Sequence, residues 1–373
     1  MKKITFIHSL TPLRGIAAIM VAVLHFSDDL FPSLDTASYT FLFQKGYLWV
    51  DFFFILSGFI ITHVYGHIFK FGCTFVKYRN FMFARFTKIY PVHLLVLAAF
   101  IAIEFIKLWF AINTDEVLLT EPFSGDRHPF GILTTIFLIH SLGVHETIVW
   151  NFPSWSMSVE WATYLIYPIL AYLLLRLRQS HSELVLLAML CAIAFFTYIH
   201  GHLNVFTDYA FVRCILGFSI GMVGYRIYLE KRFIKHLRKN TVFFSAFSAA
   251  IIIMHFGFFD ALVIPFFLLI TLTAAHNTTY VCKVLNVRPL TLLGDISFSL
   301  YMTHFFVREF GSRIYRTITG KNIWQEDLTL MQSLLGFFLC LLIVILVAWL
   351  CFHFFERPCQ RKLKSINFFK GKF

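Results

Sequence analysis

Charge is what this sequence has least of. Only 14% of its 373 residues are charged, where a soluble globular domain carries about 25%. Acids are the scarcer sign: 20 Asp and Glu stand against 32 Lys and Arg, a net charge of +12. That shortage excludes a soluble cytosolic enzyme and a disordered chain. The seven cysteines, at 73, 191, 214, 282, 340, 351 and 359, are odd in number and form no C-x-x-C. Neither a disulfide ladder nor a metal framework follows, and most of them lie in apolar runs, where cysteine is a small hydrophobe. No P-loop, no dinucleotide-binding glycine fingerprint and no H-E-x-x-H occurs. His63 and His67 stand at i, i+4 with no third ligand evident, so no metal is expected. What fills the chain is apolar: 58% hydrophobic residues, 48 of them Phe, and a mean hydropathy of +0.74. These values point to a polytopic membrane protein. Its basic balance then reads as positive loops facing the cytoplasm. No basic stripe lies on a soluble helix, so no nucleic acid is expected as a partner.

Met1-Lys2-Lys3 leads into an apolar stretch like a signal peptide, but Arg14 interrupts it and no clean cleavage site follows, so it reads as a retained first span. Apolar segments lie at about 12–27, 47–68, 86–112, 131–149, 158–177, 184–200, 208–229, 241–258, 261–276, 291–311 and 330–355. Loop charge settles their parity. Lys2 and Lys3 sit inside; Asp28, Asp29 and Asp35 outside; Lys70, Lys77, Arg79, Arg85 and Lys88 inside; Asp115, Glu116, Glu121 and Asp126 outside. Arg176 and Arg178 then fall inside only if 131–149 dips in and returns. The remaining basic loops and the tail Arg357, Arg361, Lys362 and Lys364 follow inside, and the loop of Arg313, Arg316 and Lys321 is the one exception. The expectation is one all-α membrane domain over 1–373, with about ten transmembrane helices plus one re-entrant segment. Both termini are expected in the cytoplasm, with no appended soluble domain.

Ionisable residues inside spans are costly and are candidates for function. Cations lie on the inner half: Arg14, then Arg85 and Lys88. Carboxylates and imidazoles lie on the outer half: His25, Asp51, Glu160 and His304. Arg14 and His25 are 11 residues apart, about 16 Å and close to three turns along one helical face. A plain alternative is that Arg14 snorkels to headgroups and His25 sits at the interface. Asp51, beside the Phe52–Phe54 run, must face protein or water, and a helix-packing contact would satisfy it. Arg85 and Lys88 share a face and suit a phosphate group, or serve as ordinary positive-inside anchors. In Pro153-Ser154-Trp155-Ser156-Met157-Ser158-Val159-Glu160-Trp161, a serine can cap a helix and the helix dipole favours Glu160. The functional reading of Glu160 is a hydrogen bond to a hydroxylated substrate or an imidazole.

Taken in order, these pieces resemble the membrane acyltransferase-3 family, whose members resemble O-antigen acetylases and exopolysaccharide O-acetyltransferases. The pieces are Leu13-Arg14-Gly15 through His25; Val50-Asp51-Phe52-Phe53-Phe54 through Ser57-Gly58-Phe59; the basic pair before Tyr90-Pro91; Ser154 through Glu160; Leu293-Gly294-Asp295 through Tyr301-Met302-Thr303-His304; and Glu356-Arg357-Pro358. Two departures stand out. Arg85-Phe86-Thr87-Lys88 replaces an Arg-x-x-Arg, which keeps the charge but loses bidentate geometry. Glu160-Trp161-Ala162-Thr163-Tyr164 replaces a Glu-x-x-Phe-Tyr.

The resemblance implies an O-acyltransferase. It would move an acyl group, commonly acetyl, from cytoplasmic acetyl-CoA or another acyl-CoA across the inner membrane to a hydroxyl of a saccharide or glycolipid acceptor. Lipopolysaccharide is one example of such an acceptor. Arg14, Arg85 and Lys88 would dock the donor phosphates, and the thioester would thread along the first helix towards His25. His25 would act as general base or transient acyl carrier. Asp51, Glu160, Asp28 or Asp29 would orient its ring, and Ser156 is a further candidate carrier. Ser154, Trp155 and His304 would contact substrate. The competing reading is a transporter or flippase for a glycan lipid with no acyl chemistry.

Overall fold

Lipid offers a backbone no hydrogen bonds, so segments this apolar must satisfy their own as helices. The computed structural model describes residues 6–27, 31–114, 120–230, 233–321, 323, 326 and 328–366, and contains no strand among them. In chain order the helices are α1 Leu10–Ser27, α2 Leu48–Phe69, α3 Phe75–Asn113, α4 Pro129–Ile136, α5 Ser154–Leu174, α6 Gln179–His200, α7 Ala210–Glu230, α8 Ile234–Leu237, α9 Asn240–His255, α10 Val263–His276, α11 Tyr280–Leu285, α12 Arg288–Thr319, α13 Leu330–Cys351 and α14 Arg357–Ser365. Eight are long and apolar enough to cross a membrane: α1, α2, α3, α5, α6, α7, α12 and α13, the last continuing through a π-helical turn at Phe352–Glu356 into α14.

One detail agrees with the sequence reading and two depart from it. The segment 131–149 holds only the eight-residue α4, about 12 Å long and too short to cross. The chain then turns at Leu138 and Trp150, both with positive φ, and enters α5. Two of the expected spans are short, 16 residues in α9 and 14 in α10. Finally, α12 runs on to Thr319, so Arg313 and Arg316 stand on a helix rather than in a loop. Arg313 lies 4.0 Å from Glu309, and Lys321 pairs with Glu326 at 3.1 Å. These acids reduce the excess of positive charge on the one segment that broke the loop-charge pattern.

Packing sorts the helices into a centre and a rim. α1 lies against α12, α2 against α7, and α5 against both α7 and α2. Two-thirds of the apolar window of α1 is buried, but only 11% of that of α13. α13 is therefore apolar all round yet unburied by protein, as a lipid-facing helix is. The central pairs approach closely because their contacts are glycines. A Cβ on Gly15 would stand 2.6 Å from the Gly294 nitrogen, and a Cβ on Gly294 would meet the Thr11 carbonyl. Gly58 and Gly221 play the same part between α2 and α7. Gly294→Ala is expected to destabilise the protein by about 1–3 kcal/mol through overpacking, read as a lowered Tm in detergent. Gly311, on the same helix with open space around it, is the control, and Gly311→Ala should be neutral or slightly stabilising.

Candidate functional site

Arg14 sits one turn into α1, Arg85 and Lys88 lie on the first half of α3, and Glu160 lies near the start of α5. These four side chains line one cavity of about 310 Å³, together with Ser57, Ser156, Tyr164, Tyr301 and, from α14, Gln360 and Lys364. Five expected site residues, Arg14, Arg85, Lys88, Ser156 and Glu160, are thus brought together.

Their partners distinguish them. The Lys88 ammonium donates to Glu356 at 2.5 Å, and the Ser299 hydroxyl and Gln360 amide donate to the same carboxylate at 2.6 and 2.9 Å. Lys88 is therefore matched by a fully buried acid. Arg85 donates to the Tyr65 hydroxyl at 3.1 Å and lies over that ring. No carboxylate pairs with Arg14 or Arg85 among the described residues. Glu160 accepts from the Tyr164 hydroxyl at 2.6 Å. The cavity thus presents two arginines that form no ion pair among the described residues, with the Glu160 carboxylate on the same wall, and its excess of cations is a setting for an anionic group.

His25 does not line this cavity. It lies farther along α1, 8% exposed, with its ring stacked on that of His304 at 5.3 Å between centroids. Phe152 and Phe305 close on it edge-on at 5.2 and 5.8 Å. The close α1–α12 contact places the two imidazoles face to face. Tyr301 lines the cavity; its hydroxyl shares a 2.8 Å hydrogen bond with Ser156, and its ring lies 5.8 Å from that of His304.

Three expected residues serve elsewhere. Asp51 was expected to orient His25, but both its oxygens accept from Arg213, at 2.9 and 2.7 Å, with both side chains fully buried. Arg213 also donates to the Tyr47 and Val205 carbonyls. Asp51 is thus the anchor of a buried network between α2 and α7. Trp155 lies over the Arg213 guanidinium at 5.1 Å. Ser154 donates to the Asn151 carbonyl at 2.6 Å and meets His140 at 3.0 Å. Neither Ser154 nor Trp155 lines the cavity. Asp28 and Asp29 lie outside the described residues. Among the described residues no group of three or more His, Cys, Asp or Glu could hold a metal ion.

Arg213 was not singled out from the sequence, and Glu356 and Tyr301 stood there only within motifs, with no role given. An arginine four residues into an apolar run was the available signal for the first. Gly217-Phe218-Ser219-Ile220-Gly221 also spells G-x-S-x-G, a nucleophile motif when set on a strand-to-helix turn. Here it lies inside α7, and a Cβ on Gly221 would meet the backbone of α2. Its glycines serve helix packing.

Fold and site together define a polytopic helical membrane protein built round a basic cavity and a buried imidazole pair. The chain belongs to the acyltransferase-3 family: the family model described as an acyltransferase domain matches residues 7–353. OatA of Listeria monocytogenes, a peptidoglycan O-acetyltransferase, is 22% identical over 98% of this chain and 57% of its own length. YrhL of Bacillus subtilis, whose name carries peptidoglycan O-acetyltransferase as a provisional assignment, is 23% identical over 84% of this chain and 50% of its own. The chain spans about half to three-fifths of the length of these curated relatives. No solved structure matches it.

Proposed function

We propose that this chain is a membrane O-acyltransferase, moving acetyl from acetyl-CoA at the cytoplasmic face to a saccharide hydroxyl on the other side. His25 acts as general base or transient acyl carrier. The observation that carries this reading is the pairing of ends along α1. Arg14 opens into a cavity with Arg85, neither in an ion pair among the described residues, and His25 lies about 16 Å further along the helix. The cations suit the phosphates of the donor, and the thin pantetheine arm is comparable in length to the Arg14–His25 separation. Basic loops on the cavity side support a cytoplasmic donor. The relatives named for peptidoglycan O-acetylation support a glycan acceptor.

The test is acyl transfer by the purified chain in nanodiscs, with acetyl-CoA and peptidoglycan fragments, read as released thiol and acetylated glycan. Arg14→Ala and Arg85→Ala should each raise the KM for acetyl-CoA tenfold or more, since a charge-assisted hydrogen bond contributes about 1.5–3 kcal/mol. Lys88→Ala should instead lower the Tm, because it strands Glu356, whose side chain is fully buried. A chain that moves glycan lipid and leaves acetyl-CoA intact would establish the transporter reading in place of this one.

A further inference from the structure

His304 is fully buried on α12, and its two ring nitrogens differ in their surroundings. Nδ1 lies 2.7 Å from the Tyr301 carbonyl oxygen. A carbonyl can only accept, so Nδ1 carries the proton and the neutral ring keeps its lone pair on Nε2. That atom is buried and has no hydrogen-bond partner among the described residues. A buried polar atom without a partner costs about 1–3 kcal/mol and calls for an explanation. The titratable or charged neighbours of His304 are His25 on α1, and Tyr301 and Arg308 on its own helix. The apolar walls are Phe152 and Phe305, whose rings stack at 5.4 Å.

We infer that His304 is a second base at this site, receiving the acceptor's hydroxyl proton at Nε2 while His25 carries the acyl group. The inference rests on the acyltransferase reading above. In the first half, a ring nitrogen of His25 attacks the thioester carbonyl carbon. A C–N bond forms, the C–S bond breaks, and the departing thiolate takes the proton from the other His25 nitrogen, leaving a neutral acyl-imidazole and free CoA. In the second half, the acceptor oxygen attacks the same carbon. Its proton passes to His304 Nε2, the new C–O bond forms, and the C–N bond to His25 breaks. The ring released is an imidazolate, and the proton on His304 returns to it. The two rings lie 5.3 Å apart, so that return is short, and their burial keeps water from the acyl-imidazole.

The test separates the two halves in the full chain. His304→Gln keeps an amide group for the Tyr301 carbonyl but cannot take up a proton. His304→Asn is the second variant, in case glutamine does not fit, and thermal stability is measured for both. The expected result is a loss of glycan acetylation of about 10²–10⁴-fold, with the KM for acetyl-CoA near that of the wild type. Label from radioactive acetyl-CoA should also remain on the protein, and that label should be absent in His25→Ala. Glycan acetylation within twofold of wild type would overturn the inference while leaving the acyltransferase reading intact. Equal loss with no retained label would make His304 a positioning residue and also overturn it. A wild-type chain that neither releases thiol nor acetylates glycan would overturn the acyltransferase reading, and this inference with it.

Discussion

His25→Ala should lower acyl transfer about 10²–10⁴-fold, the range expected when a positioned base is removed, and the loss should be larger if the ring also carries the acyl group. The expectation rests on placement. Of the residues on α1, His25 is the one set against another imidazole, and its ring stacks at 5.3 Å on His304 within a Phe152–Phe305 enclosure. The enclosure brings a complication, because truncating a buried ring also removes packing, at a cost of up to a few kcal/mol. His25→Gln restores part of the volume and therefore separates chemistry from stability. Both variants are to be compared at matched membrane levels by mass spectrometry of the acetylated glycan. If both retain transfer, the route along α1 is wrong, and the reaction belongs to the cavity end, where Ser156 and Glu160 line the wall. The kinetic pattern adds a second check. Arg14→Ala should act on KM, whereas His25→Ala should act on kcat, because the proposed function puts donor docking and acyl transfer at opposite ends of one helix.

The helical character of the chain and much of its site follow from local pattern, which is why they were legible. The apolar runs announce helices, and Arg14 and His25 read as one face because helical period is a local property. Loop charge also spoke against a crossing at 131–149, and that segment holds only the eight-residue α4. What the sequence hid is long-range. Asp51 was recognised as an acid that needs a partner, but Arg213 stands 162 positions away, and no spacing rule connects them. Lys88 and Glu356 are 268 apart, so Lys88 read as a free cation although a buried carboxylate neutralises it. Ser154 and Trp155 belong to a motif that reads as one unit, yet successive helical residues point in different directions. Ser156 turns into the cavity, while Trp155 covers Arg213 and Ser154 meets His140. The His25–His304 pair needed the contact of α1 with α12, whose sequence signal, Gly15 and Gly294, is a pair of small residues that takes on meaning only once the two helices are known to meet.

Asp51→Ala should have the largest effect on stability, about 3–5 kcal/mol. Removing the acid leaves the Arg213 guanidinium fully buried and uncompensated, held by two backbone carbonyls and the Trp155 ring. The whole network would feel the change. Tyr47, whose carbonyl accepts from Arg213, donates its hydroxyl to Asp260 at 2.7 Å, and Asp260 in turn pairs with Lys45 and accepts from the Leu203 amide. The α2–α7 seam, the turn before α2 and the loop before α7 are therefore joined through one ion pair. The measurement is thermal denaturation in detergent together with the level of protein in the membrane. The double variant Asp51→Leu with Arg213→Met provides the decisive comparison. A buried ion pair replaced by apolar residues of similar volume is often neutral in cost, so the double variant should regain much of what Asp51→Ala loses. It should not regain everything, because the Tyr47 and Val205 carbonyls lose the hydrogen bonds of Arg213. A stable Asp51→Ala protein that has lost acyl transfer alone would return Asp51 to the chemistry. A double variant that is stable and active would establish that this acid and this arginine serve only to hold α2 against α7, the helix pair whose glycines let their backbones touch.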